Sequence, residues 1–133
     1  MTSQTRHITE QINRPAKEVY DFASDPVNIP RWASGLGSAA ENIDGQWIVE
    51  SPMGRISVTF AAHNKFGVLD HDVTLPSGEV FYNPMRVIPD GDGCEVVFTL
   101  RRQPGVSDEE FTRDTGLITA DLAKLKQLLE GSA

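Results

Sequence analysis

The sequence predicts an α+β fold in which a seven-stranded antiparallel sheet curls around one long C-terminal helix. Three observations carry this. One narrow apolar stripe runs through the last quarter of the chain. A series of alternating segments, separated by turn residues, precedes it. Two short helical segments interrupt the chain after its first strand.

Thr5 to Asn13 alternates, with Ile8, Glu10 and Ile12 on one face, and reads as the first strand. Arg14-Pro15 ends it. Pro15 suits the first turn of a helix, whose apolar side is Val19, Tyr20, Phe22 and Ala23. Asp25-Pro26 breaks that helix. Asp25 can cap a second short helix through Ile29 and Trp32, made irregular by Pro30. Gly35 and Gly37 form a loop. Ser38 to Ile43 is a weak edge strand, and Asp44-Gly45 a tight-turn signal leading into Gln46 to Glu50. Pro52-Met53-Gly54 turns into Arg55 to His63. There Ile56, Val58, Phe60 and Ala62 alternate with Arg55, Ser57, Thr59 and His63. After an Asn64-Lys65 turn, Phe66 to Leu75, Glu79 to Ile88 and Cys94 to Arg102 complete the sheet.

Two turns set register. Leu75 to Glu79 fits a three-residue hairpin loop, with φ preset at Pro76 and free at Gly78. Leu75 then faces Glu79, Val73 faces Phe81, His71 faces Asn83 and Leu69 faces Met85. Asp90-Gly91 fits a two-residue turn and sets Val87 beside Cys94, Met85 beside Val96, Asn83 beside Phe98 and Phe81 beside Leu100. Both registers gather the more apolar set on one face: Leu69, Val73, Phe81, Met85, Val87, Val96, Phe98 and Leu100. His71 and Asn83 are the two polar residues among them.

The last element is a helix from Ser107 to Glu130, with the stripe Phe111, Thr115, Ile118, Leu122, Leu125 and Leu129. Ser107 and Glu110 stand at capping-box spacing. Asp108, Glu109 and Glu110 suit the positive end of the helix dipole, Lys124 and Lys126 the negative end. Gly131 follows as a cap. At 1.5 Å per residue the helix is about 35 Å long, so its partner must be a long apolar face. Nothing but the strands supplies one. Gly116 interrupts it at a cost of about 1 kcal/mol against alanine. It reads as close packing against a strand or, alternatively, as a bend or gap that a ligand can approach.

With 133 residues the chain is expected to be a single domain, residues 1–133, with a real core. No apolar run is long enough to span a membrane, and the N-terminus lacks an apolar signal segment. Lone Cys94 excludes an internal disulfide and a Cys-based zinc site, and a cytoplasmic location is expected. The net charge of -7 disfavours nucleic acid and anionic membranes as partners. Asp70, His71 and Asp72 cannot all point one way from a strand, so they form no metal site. Asp70 and Asp72 are expected in solvent, as are His7 and His63. The facing of Trp47 is left open, and the oligomeric state is not legible.

This order of elements is that of the helix-grip fold. The run Ile12-Asn13-Arg14-Pro15-Ala16-Lys17-Glu18-Val19-Tyr20-Asp21-Phe22, followed by Asp25 and Arg31-Trp32, resembles the opening of START-like (SRPBCC) proteins. These include the polyketide cyclase/dehydrase and lipid-transport families. Leu69-Asp70-His71-Asp72-Val73 and Asn83-Pro84-Met85-Arg86-Val87 resemble a bacterial subgroup of that superfamily. Its ring-hydroxylating branch needs a Rieske cluster and iron, which Cys94 and three scattered histidines do not match, so no cofactor is expected.

The resemblance implies a hydrophobic or amphipathic small molecule bound between sheet and helix. Trp32, Phe60, Met85, Phe98, Phe111 and Ile118 would line the space, with Met85 adaptable in shape. Taken singly, each apolar residue is first a core residue. His71 and Asn83 either brace two strands as a satisfied pair or hold a ligand carbonyl or hydroxyl. A sharper reading makes His71 a general acid/base in a cyclisation or dehydration, with Glu10 the other candidate on that face. A co-chaperone-like partner module would instead show an exposed apolar patch.

Overall fold

A computed structural model describes residues 4–33, 39–52 and 54–131. In order these form β1 (Thr5–Ile12), α1 (Ala16–Ala23), a 3₁₀ turn (Pro26–Asn28), α2 (Ile29–Trp32), and then β2 (Ala40–Ile43) and β3 (Gln46–Ser51). β4 (Gly54–Phe60), β5 (His71–Thr74), β6 (Val80–Asn83), β7 (Met85–Asp90), β8 (Gly93–Arg101) and α3 (Asp108–Glu130) follow. The expected loop at Gly35 and Gly37, and the tip residue Met53, lie outside the described residues.

The α+β grip of a curved antiparallel sheet on a long C-terminal helix is present, with eight strands rather than seven. The expected strand Glu79 to Ile88 is divided at Pro84. Before it, β6 pairs with β5 in the order β2-β3-β4-β5-β6; after it, β7 pairs with β8 in the order β1-β8-β7. Pro84 has no N–H to offer a ladder, while its carbonyl accepts from Thr99 N at 2.9 Å.

The two strands expected around Asn64 are shorter than their alternation suggests. β4 stops at Phe60 and β5 starts at His71. Between them Asn64 donates through Nδ2 to the carbonyls of Ala62 and Val68, both at 3.0 Å. Its Oδ1 accepts from Phe66 N at 2.9 Å and Val68 N at 3.0 Å. One side chain thus replaces a stretch of ladder, the competition that favours asparagine in turns. Residues 67–70 rejoin the sheet, with Ala61 N donating to Asp70 O at 2.8 Å. Leu69 N donates to Met85 O at 2.8 Å, and Val87 N to Gly67 O at 2.9 Å.

The first register stands: His71 lies opposite Asn83 and Val73 opposite Phe81, and Leu75 N donates to Glu79 O. The second is corrected. Asp90 pairs with Gly93, so the turn is Gly91-Asp92; Val87 sits beside Val96 and Met85 beside Phe98. Of the two turn residues Gly91 alone takes a positive φ, 58°, as a turn with glycine first requires. The Asp-Gly-Asp-Gly run holds two overlapping turn signals, and the chain uses the later one. The shift moves the pairing by two residues, so the inward face is unchanged.

Both ends of α3 are as the spacing predicts. Ser107 Oγ accepts from Glu110 N at 3.1 Å, and Gly131 N donates to Gln127 O at 2.8 Å. Phe111, Leu122, Leu125 and Leu129 are buried, each such side chain worth about 2 kcal/mol. The helix runs alongside β1: Arg6 meets Thr115, Lys126 reaches Gln11 O, and Glu130 accepts from Asn13 N. Gly116 packs against nothing. A Cβ built there has no neighbour within 4 Å, which corrects the close packing expected of it. Gly116→Ala is therefore expected to stabilise the fold by about 1 kcal/mol. A urea midpoint that fails to rise would contradict that.

Candidate functional site

The inward face of the sheet is set by strand parity. On β1 it carries Arg6, Ile8, Glu10 and Ile12; on β8, Val96, Phe98 and Leu100; on β5, His71 and Val73. Ile8 lies opposite Phe98, which lies opposite Met85. All three are buried. Phe60 pairs with His71 across the β4–β5 ladder.

His71 is the polar centre of this face. It is 6% exposed. Its ring lies 5.1 Å from that of Phe60 and 6.0 Å from that of Phe98, centroid to centroid. Nδ1 is 2.9 Å from the carbonyl of Leu69 and must donate to it. Burial pushes the imidazole pKa below its ordinary value, and the Leu69 carbonyl and the Asp70 and Asp72 charges only partly oppose that. The ring is therefore neutral at pH 7, its one proton is on Nδ1, and Nε2 is an acceptor. No bond to Nε2 forms among the described residues.

The expected His71–Asn83 hydrogen bond is absent. The two residues are opposite in register, but the ring turns to its own strand's backbone instead. Asn83 is half-buried and its side chain bonds to nothing among the described residues. A second orphan is Trp32, 5% exposed, whose Nε1–H has no acceptor among the described residues. Buried donors without partners are uncommon and cost about 1–3 kcal/mol each.

The remaining expected lining residues divide in two. Met85, Phe98 and Phe111 are buried, while Phe60 and Ile118 are half-buried. Phe81, Leu100 and Thr115, also of the inward set, are half-buried too. Phe111 is an anchor: the guanidinium of Arg6 lies 4.5 Å and that of Arg102 5.9 Å from its ring centroid. Glu10, the other candidate acid, extends to Lys126 of α3 at 3.7 Å.

The expectation of a solvated Asp70 is corrected. Its side chain is 12% exposed and makes a bidentate pair with Arg86, at 3.0 Å from Nε and 2.8 Å from Nη2. It also accepts from Tyr82 Oη at 2.7 Å and from Met85 N at 2.9 Å. The carboxylate thereby holds the Pro84 corner and, through Leu69 and His71, the floor of the site.

A separate open groove of about 530 Å³ lies beside α1. It is lined by Ala16, Tyr20, His63, Phe66, Gly67 and Val87 among others, and by none of the eight residues expected to meet a ligand. Its one free-standing aromatic is Phe66, 83% exposed. Lys17, on its rim, is paired with Asp21 at 2.6 Å.

A family model described as polyketide cyclase / dehydrase and lipid transport matches residues 4–130. No curated protein sequence matches the chain. Among solved structures the chain is similar to an uncharacterized protein from Bacillus thuringiensis. That match has a TM-score of 0.73 and 16% identity, and covers 94% of this chain and 98% of the other. It is similar to CalU16 from Micromonospora echinospora, at TM-score 0.67 and 16% identity, covering 98% of this chain and 77% of that one. It is also similar to norcoclaurine synthase from Thalictrum flavum, solved with dopamine and hydroxybenzaldehyde. There the TM-score is 0.64 and the identity 16%, over 98% of this chain and 88% of the other. At these identities the likeness is one of fold.

Proposed function

The chain belongs to the polyketide cyclase / dehydrase and lipid transport family, and from that premise we propose that it binds a hydrophobic or amphipathic small molecule between the sheet and α3. The observation that carries the reading is His71. A neutral imidazole, fixed in one tautomer by Leu69 and framed by two aromatic rings, presents an unsatisfied acceptor on an apolar face. A ligand hydroxyl would complete it. The unpartnered amide of Asn83 and the Nε1–H of Trp32 are donors for a ligand carbonyl. The half-buried Phe60, Phe81, Leu100 and Ile118 support the reading as well, because inward apolar residues that are not fully covered are what an incompletely filled interior leaves.

The test is native mass spectrometry of gently purified protein, with organic extraction of whatever accompanies it. A discrete extra mass, lost on denaturation, is the expected result. His71→Ala should weaken retention about tenfold, the worth of one buried hydrogen bond. A bare 14.6 kDa species after incubation with lipids and aromatic polyketides would reject the reading.

One observation favours a second, enzymatic reading. A neutral imidazole with its lone pair free on Nε2 is the form a general base requires. In a cyclase or dehydratase it would take a proton from carbon next to a ligand carbonyl and return it to the departing oxygen. The two readings part at the same variant. His71→Ala leaves measurable binding in a carrier and abolishes turnover in an enzyme.

A further inference from the structure

Arg6 is the one cation on the inward face of β1. It shares parity with Ile8 and Ile12, and its partner across the ladder is Leu100. It is half-buried. A guanidinium in such a place ordinarily has a carboxylate, yet among the described residues Arg6 makes no ion pair. Among the described residues its side chain makes one hydrogen bond, from Nη1 to Thr115 Oγ1 at 3.0 Å. Thr115 spends its own proton on Phe111 O at 2.8 Å, so it offers Arg6 only a neutral lone pair. The neighbouring arginine differs. Arg102 is satisfied by Asp108, Val106 O and Gln4.

The guanidinium of Arg6 lies over the buried ring of Phe111, and three other inward residues around it are less covered. Leu100 is opposite it, Thr115 bonds to it, and Ile118 is one helical turn on; all three are half-buried. The other end of α3 is closed by Leu122, Leu125 and Leu129. Between Phe111 and Leu122 the helix is thus less fully covered, on the side of Arg6. We propose that Arg6 is an anion anchor at this end of the ligand space, and that the ligand is an amphiphile whose carboxylate pairs with Arg6 while its apolar body runs inward past Phe98. This rests on the binding reading above and names its ligand class. Four of the five guanidinium donors remain for a planar carboxylate, which arginine meets bidentately. The net charge of -7 repels acidic ligands overall, so selection must come from a local cation of this kind.

The experiment compares decanoate with decan-1-ol, each displacing the neutral dye 1-aminoanthracene. Decanoate is expected to bind about tenfold more tightly than the alcohol, as a charge-assisted pair requires. Arg6→Gln should erase the preference, so that decanoate and decan-1-ol bind alike, and a urea midpoint near that of the unaltered protein reports that the variant is folded. Arg6→Lys should keep part of the preference. Equal affinities in the unaltered protein, or a preference that survives Arg6→Gln, would overturn the assignment while the binding reading stands. If neither compound displaces the dye and no mass is extracted, the binding reading fails and takes the Arg6 assignment with it.

Discussion

Gly67→Ala is expected to cost about 3 kcal/mol or more, the largest effect of a methyl group added at any of the described glycines. Gly67 has φ +72°, where an L side chain is strained, and a Cβ placed there would overlap the carbonyl oxygen of Val87. That oxygen cannot step aside. Val87 donates its own N–H to Gly67 O at 2.9 Å, and its side chain is 2% exposed. Gly78 separates the two contributions. It has φ +90°, but a Cβ there meets nothing within 4 Å. Gly78→Ala should therefore pay the dihedral cost alone, about 1 kcal/mol. Urea unfolding of both variants checks this. Equal losses would mean that the contact with Val87 contributes nothing.

Asp70 carries the second large effect. Hydrogen bonds from Arg86, then Tyr82 and the Met85 amide, lower its pKa from 3.8 to about 2, against the opposing effect of burial. As pH falls through about 4 the unfolded chain takes up a proton that the folded chain refuses until about 2. The stabilisation is complete above that window and lost within it as pH falls. Arg86 is half-exposed, so solvent screening reduces the acid-labile part to about 1 kcal/mol. Asp70→Asn should flatten the stability profile between about pH 4 and 2. Asp70→Ala should cost about 2–3 kcal/mol at pH 7, because it also strands the Met85 amide. A profile as steep in Asp70→Asn as in the parent protein would sink the account.

The elements of this fold were legible wherever one signal dominated. The α3 stripe, its Ser107 cap and the Leu75–Glu79 hairpin each followed from spacing and turn chemistry alone. Where two signals overlapped, as in Asp-Gly-Asp-Gly, backbone twist decided between them, and composition does not encode that choice. Alternation carried β4 too far, because Asn64 satisfies backbone groups that a ladder would otherwise claim. In the site, parity placed His71 inward correctly. Its choice of Leu69 over Asn83 depends on ring rotation, which periodicity leaves undetermined. Arg6 was within reach of the same parity that selected Ile8, Glu10 and Ile12, two residues beyond where the reading stopped. Asp70 was misplaced because one-sided alternation assigns a facing and not a partner. The Pro84 corner brought three donors to the outward side.

The pairing of β1 with β8 joins Thr5 to Arg101 and Ile12 to Cys94. In the strand order of the described residues β8 is the sole neighbour β1 has, and α3, which lies along β1, is later still in the chain. During synthesis the first strand therefore emerges well before anything that can hold it. Ile8 and Ile12 wait in the open until β8 and α3 have left the ribosome. For this topology the native pairing of β1 comes only after β8 and α3 have been made, and the nascent chain must be kept from aggregating until then.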